Sequence, residues 1–325
     1  MTDPVRAIAD AVLYEGYVLW PYRRSALKNA QRWTFGGVFP RAHAESRAAG
    51  DDPWVMQTQC LVEGDAATSL SVAVRWLHVV WRQAVDAGGR EVDAVGGQLT
   101  WEEAVEREAA FGPAPIGELA AGLQTPIAIP AGRGVERVAD AGALVRSWEP
   151  LTGSVRLDAE PAAGGALRVT VRIENTTTWA GGPREAALRR TFCSTHTVLR
   201  VRGGSFVSLT DPPPSLEAAA RACDNVGTWP VLVGEDGARD TLLSSPIILS
   251  DYPRIAPESP GDLFDGGEID QLLILNILSL TDAEKAEMRA SDPRAREILD
   301  RTEALSPQEL MNLHGAIREW QVRAG

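Results

Sequence analysis

Residues Gly165–Thr177 read GALRVTVRIENTT, and in them Leu167, Val169, Val171 and Ile173 alternate with Arg168, Thr170 and Arg172. A period of two turns successive side chains to opposite faces, so the stretch predicts a strand with one buried and one wet face. The same alternation recurs on either side, in GSVRLDAE (153–160) and THTVLRVRGGSFVSL (195–209). Glycine pairs at Gly164-Gly165 and Gly203-Gly204 join these runs as hairpin turns would. The expected core is therefore an antiparallel β-sandwich or barrel rather than a doubly wound sheet.

Working toward the N-terminus, QTQCLVEG (57–64) and SVAVRWLHVVWRQAV (71–85) predict paired antiparallel strands, with Val72, Val74, Trp76 and His78 alternating in the second. Thr100 followed three residues later by Glu103 matches a capping box, which predicts a short helix over Trp101–Ala110. PIAIPAG (126–132) then returns to extended chain. Pro4 near a first helical position, with Ile8, Val12 and Leu13 at helical spacing, predicts a helix that Gly16 and Pro21 end.

Working toward the C-terminus, an alanine-rich helix is expected around Leu216–Ala222 and a strand at WPVLVG (229–234). Thr281 with Glu284, Asp292 before Pro293, and Ser306 before Pro307 mark three helix starts. The predicted class is α+β: an antiparallel β-sandwich or barrel-like core with a C-terminal helical subdomain. The chain divides into an N-terminal α+β region (1–150), a β region (151–265) and the helical subdomain (266–325), or folds as one compact unit.

A chain of 325 residues with 44% hydrophobic content holds ample material for a core. Its longest apolar run, Leu272–Leu280, is interrupted by Asn276 and falls well short of the roughly 18 residues that span a bilayer. The opening MTDPVRAIAD has no apolar signal core, so a cytoplasmic location is expected. Three separated cysteines, Cys60, Cys193 and Cys223, fit reduced thiols rather than a disulfide framework. A net charge of −12 opposes general binding to nucleic acid or anionic lipid, leaving proteins and small molecules as partners.

The sequence carries few signatures of chemistry. There is no G-x-S-x-G elbow, no phosphate-binding P-loop and no dinucleotide fingerprint. Cys193 and His196 have a C-x-x-H spacing that Cys223, and Cys60 with it, would join as metal ligands if the chain folded back. On a regular strand, however, positions 193 and 196 point to opposite faces unless a bulge intervenes. The acidic run from Glu258 to Asp270 misses the calcium-loop spacing and fits helix capping better. No cofactor is predicted.

The most distinctive local feature is aromatic and basic: Tyr14, Tyr17, Trp20, Tyr22, Trp33, Phe35 and Phe39, interleaved with Arg23, Arg24, Lys28 and Arg32. Aromatics and arginines supply most interface hot spots, so Tyr14, Tyr17, Trp20, Tyr22, Arg23, Arg24, Trp33 and Phe35 are the candidate partner-binding residues. The same composition equally describes a flap whose aromatics are buried in the core.

Three stretches, YEGYVLWPYRRSALKNAQRWTFGGVFP (14–40), CDNVGTWPVLVG (223–234) and SSPIILSDYPRIAPESPGDLFDGGEIDQLLILNILSLTD (244–282), resemble a bacterial, actinobacterial-type family encoded beside high-affinity NiFe hydrogenases and their maturation proteins. The resemblance implies a process, not a mechanism, and carries over no catalytic residue. It implies an accessory protein that contacts hydrogenase subunits or maturation factors, through the Tyr14–Phe39 segment and the Pro257–Asp270 loop. The other readings are a metal-handling or redox protein using Cys193, His196 and Cys223, and an enzyme acting on a small molecule in a β-rich pocket.

Overall fold

The computed structural model describes residues 4–14, 35–47, 52–254 and 277–306. The chain opens with helix α1 (Pro4–Tyr14) and a short α2 (Arg41–Ser46), then enters strands β1 (Val55–Glu63) and β2 (Ser69–Asp86). Short strands β3 (Glu91–Val92), β4 (Ala94–Val95) and β5 (Gln98–Leu99) lead to β6 (Trp101–Pro115). Next come β7 (Leu123–Ile129), β8 (Gly132–Val138), β9 (Gly142–Trp148), β10 (Leu151–Pro161) and β11 (Leu167–Asn175). After α3 (Arg184–Leu188) follow β12 (Cys193–Arg202), β13 (Ser205–Phe206), α4 (Glu217–Arg221), β14 (Trp229–Leu232) and β15 (Thr241–Ser245). A helix pair, Asp282–Ser291 and Pro293–Glu303, ends the described chain.

Two antiparallel sheets pack face to face, as the alternation in 165–177 requires. One has the order β13-β1-β11-β10-β7; the other runs β14-β15-β12-β2-β9-β8, with β3 and β6 also paired to β2. Between them lies one large core in which Val169, Val171 and Ile173 meet Val72, Val74 and Trp76. On β11 the arginines and threonine of the alternate positions are left partly exposed. The fold class is therefore α+β, with an antiparallel two-sheet core and a C-terminal helix pair. Residue 150 is crossed by both sheets: β1 pairs with β11, and β2 with β12.

Two local expectations are corrected. Trp101–Ala110 is not a helix but part of β6, which pairs with β2 from Ser69↔Pro115 to Arg82↔Trp101. Thr100 does not cap; its hydroxyl donates to the Val92 carbonyl (2.8 Å) and accepts from the Ala84 N–H (3.0 Å), pinning the strand entry. A long neighbour with open ladder groups outweighs a local capping signal. Gly203-Gly204 also does not close a hairpin, because β12 pairs with β2 and β15 while β13 pairs with β1, so the turn carries the chain from one sheet to the other.

β2 is the spine. Along its middle it is buried on both faces, with Trp76 and His78 on one and Arg75, Leu77 and Val79 on the other. Leu77 and Val79 lie under the helical layer, where Leu13 of α1 and Ile277, Met288 and Leu299 of the C-terminal segment meet them. Thr281 and Glu284 do form a capping box, and Arg82 reaches from β2 to the Ala290 and Ser291 carbonyls (3.2 and 2.8 Å) at the end of the helix that box starts. A cation suits the unpaired carbonyls and partial negative charge of a helix C-terminus. The helix start expected at Ser306-Pro307 runs outside the described residues. Among the described residues no helix is long and apolar enough to cross a membrane.

Candidate interaction surface

Parts of the three resembling stretches meet at one end of the larger sheet. β14 and β15 pair from Trp229↔Ser245 to Leu232↔Leu242, which joins the second stretch to the third. The first docks on both sheet and turn: the Thr195 N–H donates to the Gly36 carbonyl (2.9 Å), and Val38 exchanges backbone bonds with Phe192 (2.9 and 3.1 Å). Gly36 has φ +59°, and a side chain there would start 2.7 Å from Pro246 Cγ, so the close approach to SSPII needs glycine.

Around this junction large apolar side chains face solvent. Phe35 is 44% exposed, Val226 39%, Trp229 44% and Ile248 72%. Val226 exchanges backbone bonds with Gln57 of β1 (3.0 and 2.9 Å), and a buried hydroxyl chain from Thr58 through Ser244 to Thr228 (both 2.7 Å) fixes the loop beneath. Scattered exposed apolar residues are ordinary, but these four sit on segments that touch one another.

β14 is the sheet edge here, yet it is closed to strand addition. Pro230 has no N–H, and the Leu232 N–H and carbonyl are taken by the Asp251 carboxylate (2.8 Å) and the Tyr252 N–H (2.7 Å). Asp251 is itself held by the hydroxyls of Ser208 (2.5 Å) and Thr210 (2.8 Å). What this edge exposes is side chains, with Trp229 foremost.

The sequence-predicted contact residues fall in different places. Phe35 is exposed, whereas Tyr14 and Phe39 are buried. The Tyr14 hydroxyl donates to Glu106 of β6 (2.7 Å), beside Arg75, which pairs with Asp10 of α1 (2.6 Å), Glu106 (3.2 Å) and Glu108 (3.6 Å). Tyr14 therefore fastens α1 to the sheet. Phe39 stacks on His43 (5.3 Å), whose Nε2 meets the buried Asp52 carboxylate (2.9 Å), itself shared with Arg184 (3.0 Å). Tyr17, Trp20, Tyr22, Arg23, Arg24 and Trp33, the Pro257–Asp270 loop and the acidic run from Glu258 lie outside the described residues.

The metal-site candidates are not gathered. A bulge does separate Cys193 from His196, with Ser194 at φ +50°. Cys193 packs among Leu13, Leu77 and Ile277, its thiol directed at the Thr191 and Leu188 carbonyls (3.7 and 3.9 Å). His196 is fully buried, with Nδ1 3.3 Å from the Ser194 carbonyl; burial and then the Arg75 charge pull its imidazole down to about 3. Cys223 belongs to the other sheet, beyond α4, with Leu61 and Leu216. Burial raises both its thiol and that of Cys60, which holds them protonated. Among the described residues no three His, Cys, Asp or Glu side chains are grouped to hold a metal ion.

Trp229, Ile248 and Val226 escape a reading of single motifs, because their exposure depends on pairing between distant strands. Their only sequence signal is membership of the stretches that carry the resemblance. The fold is an antiparallel two-sheet α+β architecture with exposed apolar side chains at one sheet edge. No known protein family and no curated protein sequence matches the chain.

Proposed function

We propose that this chain is a non-catalytic accessory protein, assisting the assembly, maturation or stability of a NiFe hydrogenase by docking on one of its subunits or maturation factors. The observation that supports this reading is the meeting of parts of the three resembling stretches, on which Phe35, Val226, Trp229 and Ile248 are exposed. Aromatic side chains at the centre of such a surface act as hot spots, each worth about 2 kcal/mol or more on truncation.

The test is recovery of partners on a tagged full-length chain from its native host under hydrogenase-inducing conditions. Co-elution of hydrogenase subunits or maturation factors, lost with Trp229→Ser and Ile248→Ser while the chain stays folded, is the expected result. A deletion strain with normal hydrogenase activity and subunit processing would overturn the proposal.

A further inference from the structure

The inner faces of β2 and β6 hold nitrogen-bearing side chains that the fold leaves unmet. Trp76 of β2 lies directly opposite Arg107 of β6, and His78 follows on the same face, opposite Val105. Trp76 and His78 are buried and Arg107 is half-buried. The Trp76 indole nitrogen and Arg107 Nε are sealed from water and reach no hydrogen-bond partner among the described residues, and the His78 imidazole beside them has only a weak contact with the Glu149 backbone. Arg107 likewise has no ion pair there, whereas Arg75, Arg82 and Arg146 each hold carboxylates.

Native folds pair roughly 90% or more of their buried polar groups, so a knot of unmet nitrogens beside an unpaired cation calls for a ligand. Its chemistry follows from the donors. Arg107 supplies one positive charge and a planar fork that matches a carboxylate, and Trp76 supplies an indole N–H. The Trp76 ring, 5.2 Å from that of Phe192, borders an apolar core suited to hydrocarbon. A doubly charged phosphate would keep an uncompensated charge against a single cation.

We propose that Trp76, His78 and Arg107 form a binding site for a small monocarboxylate, its carboxylate on Arg107 and its apolar part against the Trp76 ring.

The experiment follows the tryptophan indole signals of the ¹⁵N-labelled full chain, with Trp76→Phe identifying the relevant one. Acetate and benzoate are expected to shift that signal saturably, while chloride and phosphate at matched ionic strength leave it in place. Arg107→Met is expected to weaken the response at least about tenfold, the loss of one charge-assisted bidentate contact, without moving the urea midpoint. If that variant does not fold, Arg107→Lys, which keeps the charge and loses the fork, serves the same comparison. No saturable shift with either carboxylate, an equal shift with phosphate, or undiminished binding by the Arg107 variant overturns the proposal.

Discussion

Two histidines sealed inside the sheets give the chain an acid sensitivity that can be calculated in sign. Burial first, then the charge of Arg107, brings His78 from 6.5 to about 4; burial and Arg75 bring His196 to about 3. Both are neutral in the folded state at pH 7, and between pH 6.5 and about 4 only the unfolded chain takes up their protons. Stability rises with pH wherever the unfolded state binds more protons, so it must fall on acidification, by about 1.4 kcal/mol per pH unit for each histidine. Urea midpoints at pH 7, 6 and 5 are expected to drop steadily, and His196→Gln to remove about half the slope; a flat profile would contradict the burial of both imidazoles. At the same scale, Ser244→Ala breaks the hydroxyl chain from Thr58 to Thr228. It leaves buried groups unpaired and is expected to lower stability by about 1–3 kcal/mol in equilibrium unfolding.

Among elements, Arg82 adds a polar tie between β2 and the C-terminal helix pair to the apolar packing of Leu77 and Val79 against Ile277, Met288 and Leu299. Arg82 holds Glu103 (2.5 Å), the Leu99 carbonyl (2.9 Å) and the last carbonyls of the Asp282–Ser291 helix, and Glu103 in turn holds Arg146 (2.6 Å). Removing one partner of a buried pair costs about 3–5 kcal/mol. Arg82→Ala should therefore lower the unfolding midpoint and speed amide exchange in residues 282–303 before the rest of the chain, whereas exchange speeded equally everywhere, or unchanged, would show that the helices are held by other means. The elements themselves were partly legible. Val72, Val74 and Trp76 declared a strand and its buried face, and Thr281 with Glu284 declared a helix start, because in both cases the deciding contacts are local or periodic. Trp101–Ala110 misled for the opposite reason: Thr100 and Glu103 have the right types and spacing for a cap, but their partners are Ala84 and Arg82 of β2 and Val92 of β3. The candidate surface was legible only as three separate stretches, and the Trp76, His78 and Arg107 group not at all, since Arg107 sat in the supposed helix.

For the whole molecule, both sheets are assembled from strands on either side of residue 150, and β1 and β2 have no partners on their own side except β6, β9 and the short β3. Fragments 1–150 and 151–325 expressed apart are each expected to lack the sheet signal in far-ultraviolet circular dichroism and to regain it when mixed; independent folding of either would separate the two halves after all. β2 has a further consequence during synthesis. It ends at Asp86, while β12, which closes its other flank, begins only at Cys193. A long strand apolar on both faces therefore leaves the ribosome well before that neighbour exists, and exposed edges of this kind invite aggregation while they wait. The yield of soluble protein should depend on translation speed and on chaperone supply, and a cell making this chain has reason to keep a holdase close to the nascent end.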